Sequence, residues 1–152
     1  MHYTLSHWPV ENQNSKELIV VIDTNVLISF LWGSKTVTVL MDALFAGRFK
    51  AAVSDDMLHE LLTTIKRGKF AGRFNPASIG KVAAAYKDSS LVAYPRQKIA
   101  VSVDIKDNIF LECAVEANAD YLITGDDDLL RICSYKGIHI VKPAVFLRMT
   151  GI

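Results

Sequence analysis

The chain has 152 residues, 51% of them hydrophobic and 22% charged, which is the composition of an ordinary globular domain and excludes disorder over most of its length. Its 17 Lys and Arg against 16 Asp and Glu leave a formal net charge of +1. That sum argues against a nucleic-acid binder working by bulk positive charge and against an acidic solvating tail.

The length fits one domain, and no apolar run approaches the roughly 18 residues of a membrane span. The polar start, MHYTLSHWPVENQNSKE, lacks the basic and apolar segments of a signal peptide. Residues 1–17 therefore read as a loosely held arm, residues 18–150 as a single domain, and the protein as cytoplasmic. Cys113 and Cys133 lie in apolar stretches without CxxC spacing, so both read as buried free thiols rather than a zinc site or disulfide framework.

Leu18 to Ile22, LIVVI, is apolar on both faces and rich in β-branched residues, as suits a central parallel strand. Val26 to Trp32 predicts a helix closed near Gly33. Thr36 to Phe45 has helical spacing with Gly47 as its stop. Phe49 to Val53 reads as a second strand. Ser54 then caps a helix with Asp55 and Asp56 in its first turn. Asn75 and Pro76 start another helix, running to about Asp88. Leu91 to Ala93 is a weak strand, followed by loop or extended chain to Lys106. Asn108 to Asn118 reads as helix, Tyr121 to Thr124 and Ile138 to Val141 as strands, and Pro143 opens a last short helix. Strands alternating with helices predict an α/β sandwich with a mainly parallel central sheet.

In such a sheet, functional groups gather beyond the carboxyl ends of the strands. Two predicted strands end in acid: Ile22 leads into Asp23, and Thr124-Gly125 leads into Asp126. Either alone could be a helix cap or turn residue. As a pair on neighbouring strands, they would repel unless a divalent cation lay between them, and carboxylate oxygens are what Mg²⁺ and Mn²⁺ prefer. Asp107, at a helix start, and Glu60, bordering an apolar helix stripe, could join them. Asp104, Glu112, Glu116, Asp127 and Asp128 compete for the same roles, with Glu112 and Glu116 read as a solvated helix face.

The stretches VVIDTNVLIS (20–29), SDDMLHELL (54–62) and DIKDNIFLECAVEANADYLITGDDDLL (104–130) resemble the PIN-domain nucleases, in particular the bacterial PIN proteins assigned as toxins of type II toxin–antitoxin systems. The resemblance spans roughly residues 18–147 and implies a PIN-like, Rossmann-like fold. It places the family's acidic quartet on Asp23, Glu60, Asp107 and Asp126, its conserved Asn on Asn25, the hydroxyl before the last acid on Thr124, and a further acid on Asp128. It implies an endoribonuclease that needs Mg²⁺ or Mn²⁺, a small cognate antitoxin as partner, and a homo-oligomer, often a dimer.

On this reading Asp23, Asp107 and Asp126 hold one or two divalent ions, with Glu60 binding directly or through water. An activated water attacks in line, leaving a 5′-phosphate and a 3′-hydroxyl. Cleavage through the ribose 2′-hydroxyl would want paired histidines or a His–Glu pair, whereas His2, His7, His59 and His139 are scattered and His59 reads as a helix-surface residue. For RNA, KRGKFAGRF offers Lys66, Arg67, Lys69 and Arg73 interleaved with Phe70 and Phe74, cations for phosphate and rings for bases. The alternative there is a solvated loop whose phenylalanines tuck into the core.

A non-catalytic PIN-like RNA-binding or scaffold module is the competing function. A haloacid-dehalogenase-like phosphatase wants a second Asp where Asn25 stands. A receiver domain wants a phospho-acceptor Asp that Val53-Ser54 does not supply. The near-zero net charge also divides: residues 104–128 carry 8 of the 16 acids against Lys106 alone, and residues 61–100 carry 8 of the 17 bases against Asp88 alone. One block suits metal and the other phosphate.

Overall fold

The computed structural model describes residues 17–102 and 104–152. All of the expected N-terminal arm except Glu17 falls outside them, and so do His2 and His7. The described residues form a six-stranded sheet in the order β3-β2-β1-β4-β6-β5. Its strands are β1 (Ile19–Ile22), β2 (Lys50–Val53), β3 (Ser90–Val92), β4 (Tyr121–Ile123), β5 (Ser134–Tyr135) and β6 (Ile138–Val141). Every pairing is parallel except β5 with β6. Around them run α1 (Thr24–Leu31), α2 (Lys35–Phe45), α3 (Asp55–Thr64), α4 (Pro76–Asp88), α5 (Asn108–Glu116), α6 (Asp127–Leu130) and α7 (Pro143–Thr150). This is the α/β sandwich that the alternation predicts.

The elements start where local chemistry dictates. Ser34, Ser54 and Asn75 cap α2, α3 and α4 by accepting from the amides of Val37, Met57 and Ala77 at 3.3, 3.3 and 2.8 Å, and Pro76 occupies the first turn of α4. Val20, Val21, Ile22, Ala51, Ala52, Val53, Leu122 and Ile123 are fully buried, as continuous apolar strands covered on both faces must be. Phe146 of α7 packs edge-on against Phe49 and Tyr121, with centroids 5.3 and 5.1 Å apart. This fixes the last helix beneath the sheet. Among the described residues no single helix is long and apolar enough to cross a membrane.

Three local readings differ from expectation. A hairpin joins β5 to β6 through Lys136 and Gly137, both left-handed at φ 49° and 81°, the conformation of a two-residue turn between twisted strands. Cys133 is exposed rather than buried, because it lies in the left-handed turn between α6 and β5 at φ 65°. Glu112 is buried rather than solvated. Its Oε2 accepts from the Ile99 amide at 3.1 Å, and its Oε1 lies 3.8 Å from the Lys98 ammonium. An otherwise orphaned loop amide and a cation thus compensate the buried carboxylate.

Candidate active site

The sheet order reverses direction at β1: β2 lies on one side of it and β4 on the other. The chain parts at such a switch point and leaves a crevice beyond the strand ends. The register pairs Ile22 with Ile123, so Asp23 and Thr124 emerge side by side. The Asp23 amide donates to the Ile123 carbonyl at 3.0 Å, the Thr124 hydroxyl donates to Asp23 Oδ2, and the Asp126 amide donates to that hydroxyl at 3.0 Å. One threonine therefore orients the first acid and the loop bearing the last. Both acids are also caps. Asp23 Oδ1 accepts from the Val26 amide at 3.1 Å and Asp126 Oδ1 from the Asp128 amide at 3.2 Å. Each is held in one rotamer with an oxygen committed to a helix.

Asp107 ends a 3₁₀ turn, Ile105–Asp107, and is delivered to the crevice at the N-terminus of α5. The Asp126 carboxyl lies close enough to hydrogen-bond to Asp107 if one of the two is protonated. Asp107 Oδ2 is buried and receives no hydrogen bond from any donor. Burial, then the Asp126 carboxyl, then the charges of Asp104 and Asp23 push the Asp107 carboxyl up to about 8. Burial also raises Asp23. Hydrogen bonds from Thr124 and from the amides of Val26 and Asn25 work against that rise, and the charge of Asp126 adds to it.

Asp23, Glu60, Asp104 and Asp107 line one cleft of about 200 Å³ together with Thr64 and Arg67. Asn25 is exposed on its rim and borders a second hollow that includes Asp126. Glu60 reaches the cleft from α3. Its Oε1 accepts from the Thr64 hydroxyl at 2.8 Å and lies 3.6 Å from Arg67 Nη2. Asp128 is drawn away, bonded to Arg131 Nη1 at 2.6 Å. His59 is exposed on α3.

The four predicted cations do not share one location. Arg67 sits in the acidic cleft, and Lys66 borders an apolar groove with Phe74. The Lys69 ammonium lies 5.2 Å above the Phe70 ring, and Arg73 is exposed. Sequence reasoning missed Thr64 and Lys106 as cleft residues. Thr64 was detectable, four residues after Glu60 on the same helix face. Lys106 is placed by the same 3₁₀ turn that delivers Asp107, and its adjacency to that acid was its only signal.

Among the described residues, no group of three or more His, Cys, Asp or Glu side chains converges as a ready metal cage. Like charges without a counter-ion hold such a group apart or share protons. The donors nevertheless fit a hard divalent cation. All are carboxylate oxygens, one of them is buried without a partner, and two carboxyls are held uncomfortably against ionisation.

Comparison with known proteins bears on the same residues. The family model described as PIN domain matches residues 19–128. The chain belongs to the PIN-domain family. PIN domains are nuclease-type folds, and the matched span runs from β1 to Asp128, enclosing every acid of the crevice. The fold is also similar to the crystal structure of PAE2754 from Pyrobaculum aerophilum, with a TM-score of 0.62 and 18% identity over 89% of this chain and 91% of that one. No match is found among curated proteins.

Proposed function

We propose that this PIN-domain protein is a metal-dependent endoribonuclease. The observation that carries the reading is the concentration of Asp23, Asp107 and Asp126 at one switch point, with two of the three carboxyls held against ionisation. A fold gains no stability from that arrangement, and a divalent cation would relieve it. Asp23, Asp107 and Asp126 would hold Mg²⁺ or Mn²⁺, with Glu60 directly or through a water. Bound there, the ion lowers the pKa of a water and offsets charge on the scissile phosphate.

The chain's own residues supply the rest. Thr124 and the Val26 amide keep Asp23 in one rotamer. Thr64 and Arg67 hold Glu60 at the cleft edge. Arg67 and Lys106, both lining the cleft, present cations to a phosphate. Asn25 offers an amide at the rim. The resemblance supports RNA as substrate, a small antitoxin protein as partner, a homodimer and a cytoplasmic setting, and these belong to the proposal.

The test is direct. Purified protein with Mn²⁺ should cut RNA into fragments bearing 5′-phosphates, and EDTA should stop it. No cleavage with Mn²⁺, or equal cleavage in EDTA, overturns the reading. The competing reading is a non-catalytic RNA-binding or scaffold module. That module would bind RNA without cutting it.

A variant with Lys66, Lys69 and Arg73 neutralised should bind RNA more weakly. Its log–log salt slope should be shallower by about 2–3, since each lost phosphate contact removes roughly 0.7–0.9 from the slope. An unchanged slope would remove these residues from the RNA path.

A further inference from the structure

Beyond the acidic cleft, the two phenylalanines of KRGKFAGRF are joined by a third ring, Trp32, that no sequence pattern places beside them. Trp32, at the end of α1, is 53% exposed. Its ring centroid lies 5.0 Å from Phe74 and 6.1 Å from Phe70, and the two phenylalanine rings stack at 6.3 Å with 27° between their planes. Phe70 and Phe74 are half-buried and packed against the core, so their rings are anchored from below. The indole is thus held from below by two anchored rings and left half in water above them.

The surroundings say what would cover it. Lys69 lies over the Phe70 ring at 5.2 Å, Lys66 borders a groove that Phe74 also lines, and Arg67 and Arg73 are close in sequence to the two phenylalanines. Rings for bases and cations for phosphates are the two components of single-strand recognition. Two segments link the platform to the cleft. Helix α1 begins at the Asp23 cap and ends at Trp32, and its 8 residues span about 12 Å. Arg67 lines the cleft three residues before Phe70. A strand whose phosphate lies at the acids can run past Arg67 and place its next bases on the rings. A duplex keeps its bases stacked on one another and cannot do this.

We propose that Trp32, supported by Phe70 and Phe74, is a base-stacking subsite that selects single-stranded RNA, about 12 Å from the acidic cleft. The proposal takes the identity of its ligand from the ribonuclease reading. The probe is a fluorescein-labelled oligoadenylate of about 12 nucleotides, alone or annealed to its complement, followed by anisotropy in EDTA so that binding is read without cleavage. Trp32→Leu, which keeps an apolar side chain but removes the ring, should weaken single-strand binding about 10-fold, within the range of one lost stack. It should leave duplex binding unchanged, and Trp32→Phe should restore most of the loss.

Equal single-strand affinity of wild type and Trp32→Leu overturns the proposal. Equal weakening of single strand and duplex also overturns it. The two readings fail separately. A protein that never cuts RNA can still show the Trp32 effect, and a nuclease that depends on its acids can still lack it.

Discussion

Asp23→Asn is expected to lose at least about 1000-fold in RNA cleavage with Mn²⁺, several kcal/mol of transition-state stabilisation, while remaining as stable as the parent protein or more so. The two halves of that result have separate causes. Asn is as good an N-cap as Asp, so its side-chain oxygen can keep the bond to the Val26 amide that starts α1. It also carries no charge to bury in a position that is 3% exposed. The substitution therefore removes a ligand and an electrostatic burden together, the usual opposition between activity and stability at a working site. Asp23→Ala separates them: equally inactive, it should also lose about 1 kcal/mol with the cap. Cleavage by Asp23→Asn at the parental rate would remove this acid from the chemistry. A folded fraction that collapses in Asp23→Asn but not in Asp23→Ala would contradict the cap geometry.

The second large effect is thermal. In metal-free protein the Asp107 carboxyl, raised to about 8, keeps a proton that the unfolded chain releases near the ordinary carboxylate value. The folded state then binds more protons than the unfolded one between about pH 4 and 8. The stability tied to that proton is fully present below about pH 4 and is lost as pH rises through 8. Asp23, also raised by burial, acts in the same direction. Metal-free melting temperature should therefore fall from pH 5 to pH 8.5. Saturating Mn²⁺ should restore about 5–10 °C at pH 8, as expected of a ligand bound well above its dissociation constant, and progressively less toward pH 5, where protons compete for the same oxygens. Asp107→Asn should flatten the metal-free profile and shrink the metal response. A Mn²⁺ effect independent of pH, or none at pH 8, would show that these carboxyls do not hold the ion.

The parts of the fold set by neighbouring residues were legible in the sequence. Ser54 before Asp55-Asp56, Asn75 before Pro76 and the both-face apolarity of LIVVI each act within one turn or one strand, and the structure places α3, α4 and β1 where those signals sit. The acids after β1 and β4 could be placed at the sheet mouth for the same reason. What escaped depended on distant contacts. Glu112 looks like one end of a surface pair with Glu116 until the 96–99 loop brings the Ile99 amide to the first and Arg96 to the second. Trp32 belongs to no pattern within α1, and only the turn some forty residues later supplies its neighbours. The β5 hairpin is two residues a side, too short for alternation to register, although Lys136-Gly137 held its turn.

The sheet's outer strands, β5 with two residues and β3 with three, bear on how copies of the protein can meet. Each presents only a few open amides and carbonyls on its outer side, and β5 is bent back into its hairpin. A neighbouring chain finds too short a template there to continue the ladder. Among the described residues, side-chain faces therefore offer a second copy more than the strand edges do, and both ends of the sheet are poor starts for strand-by-strand growth.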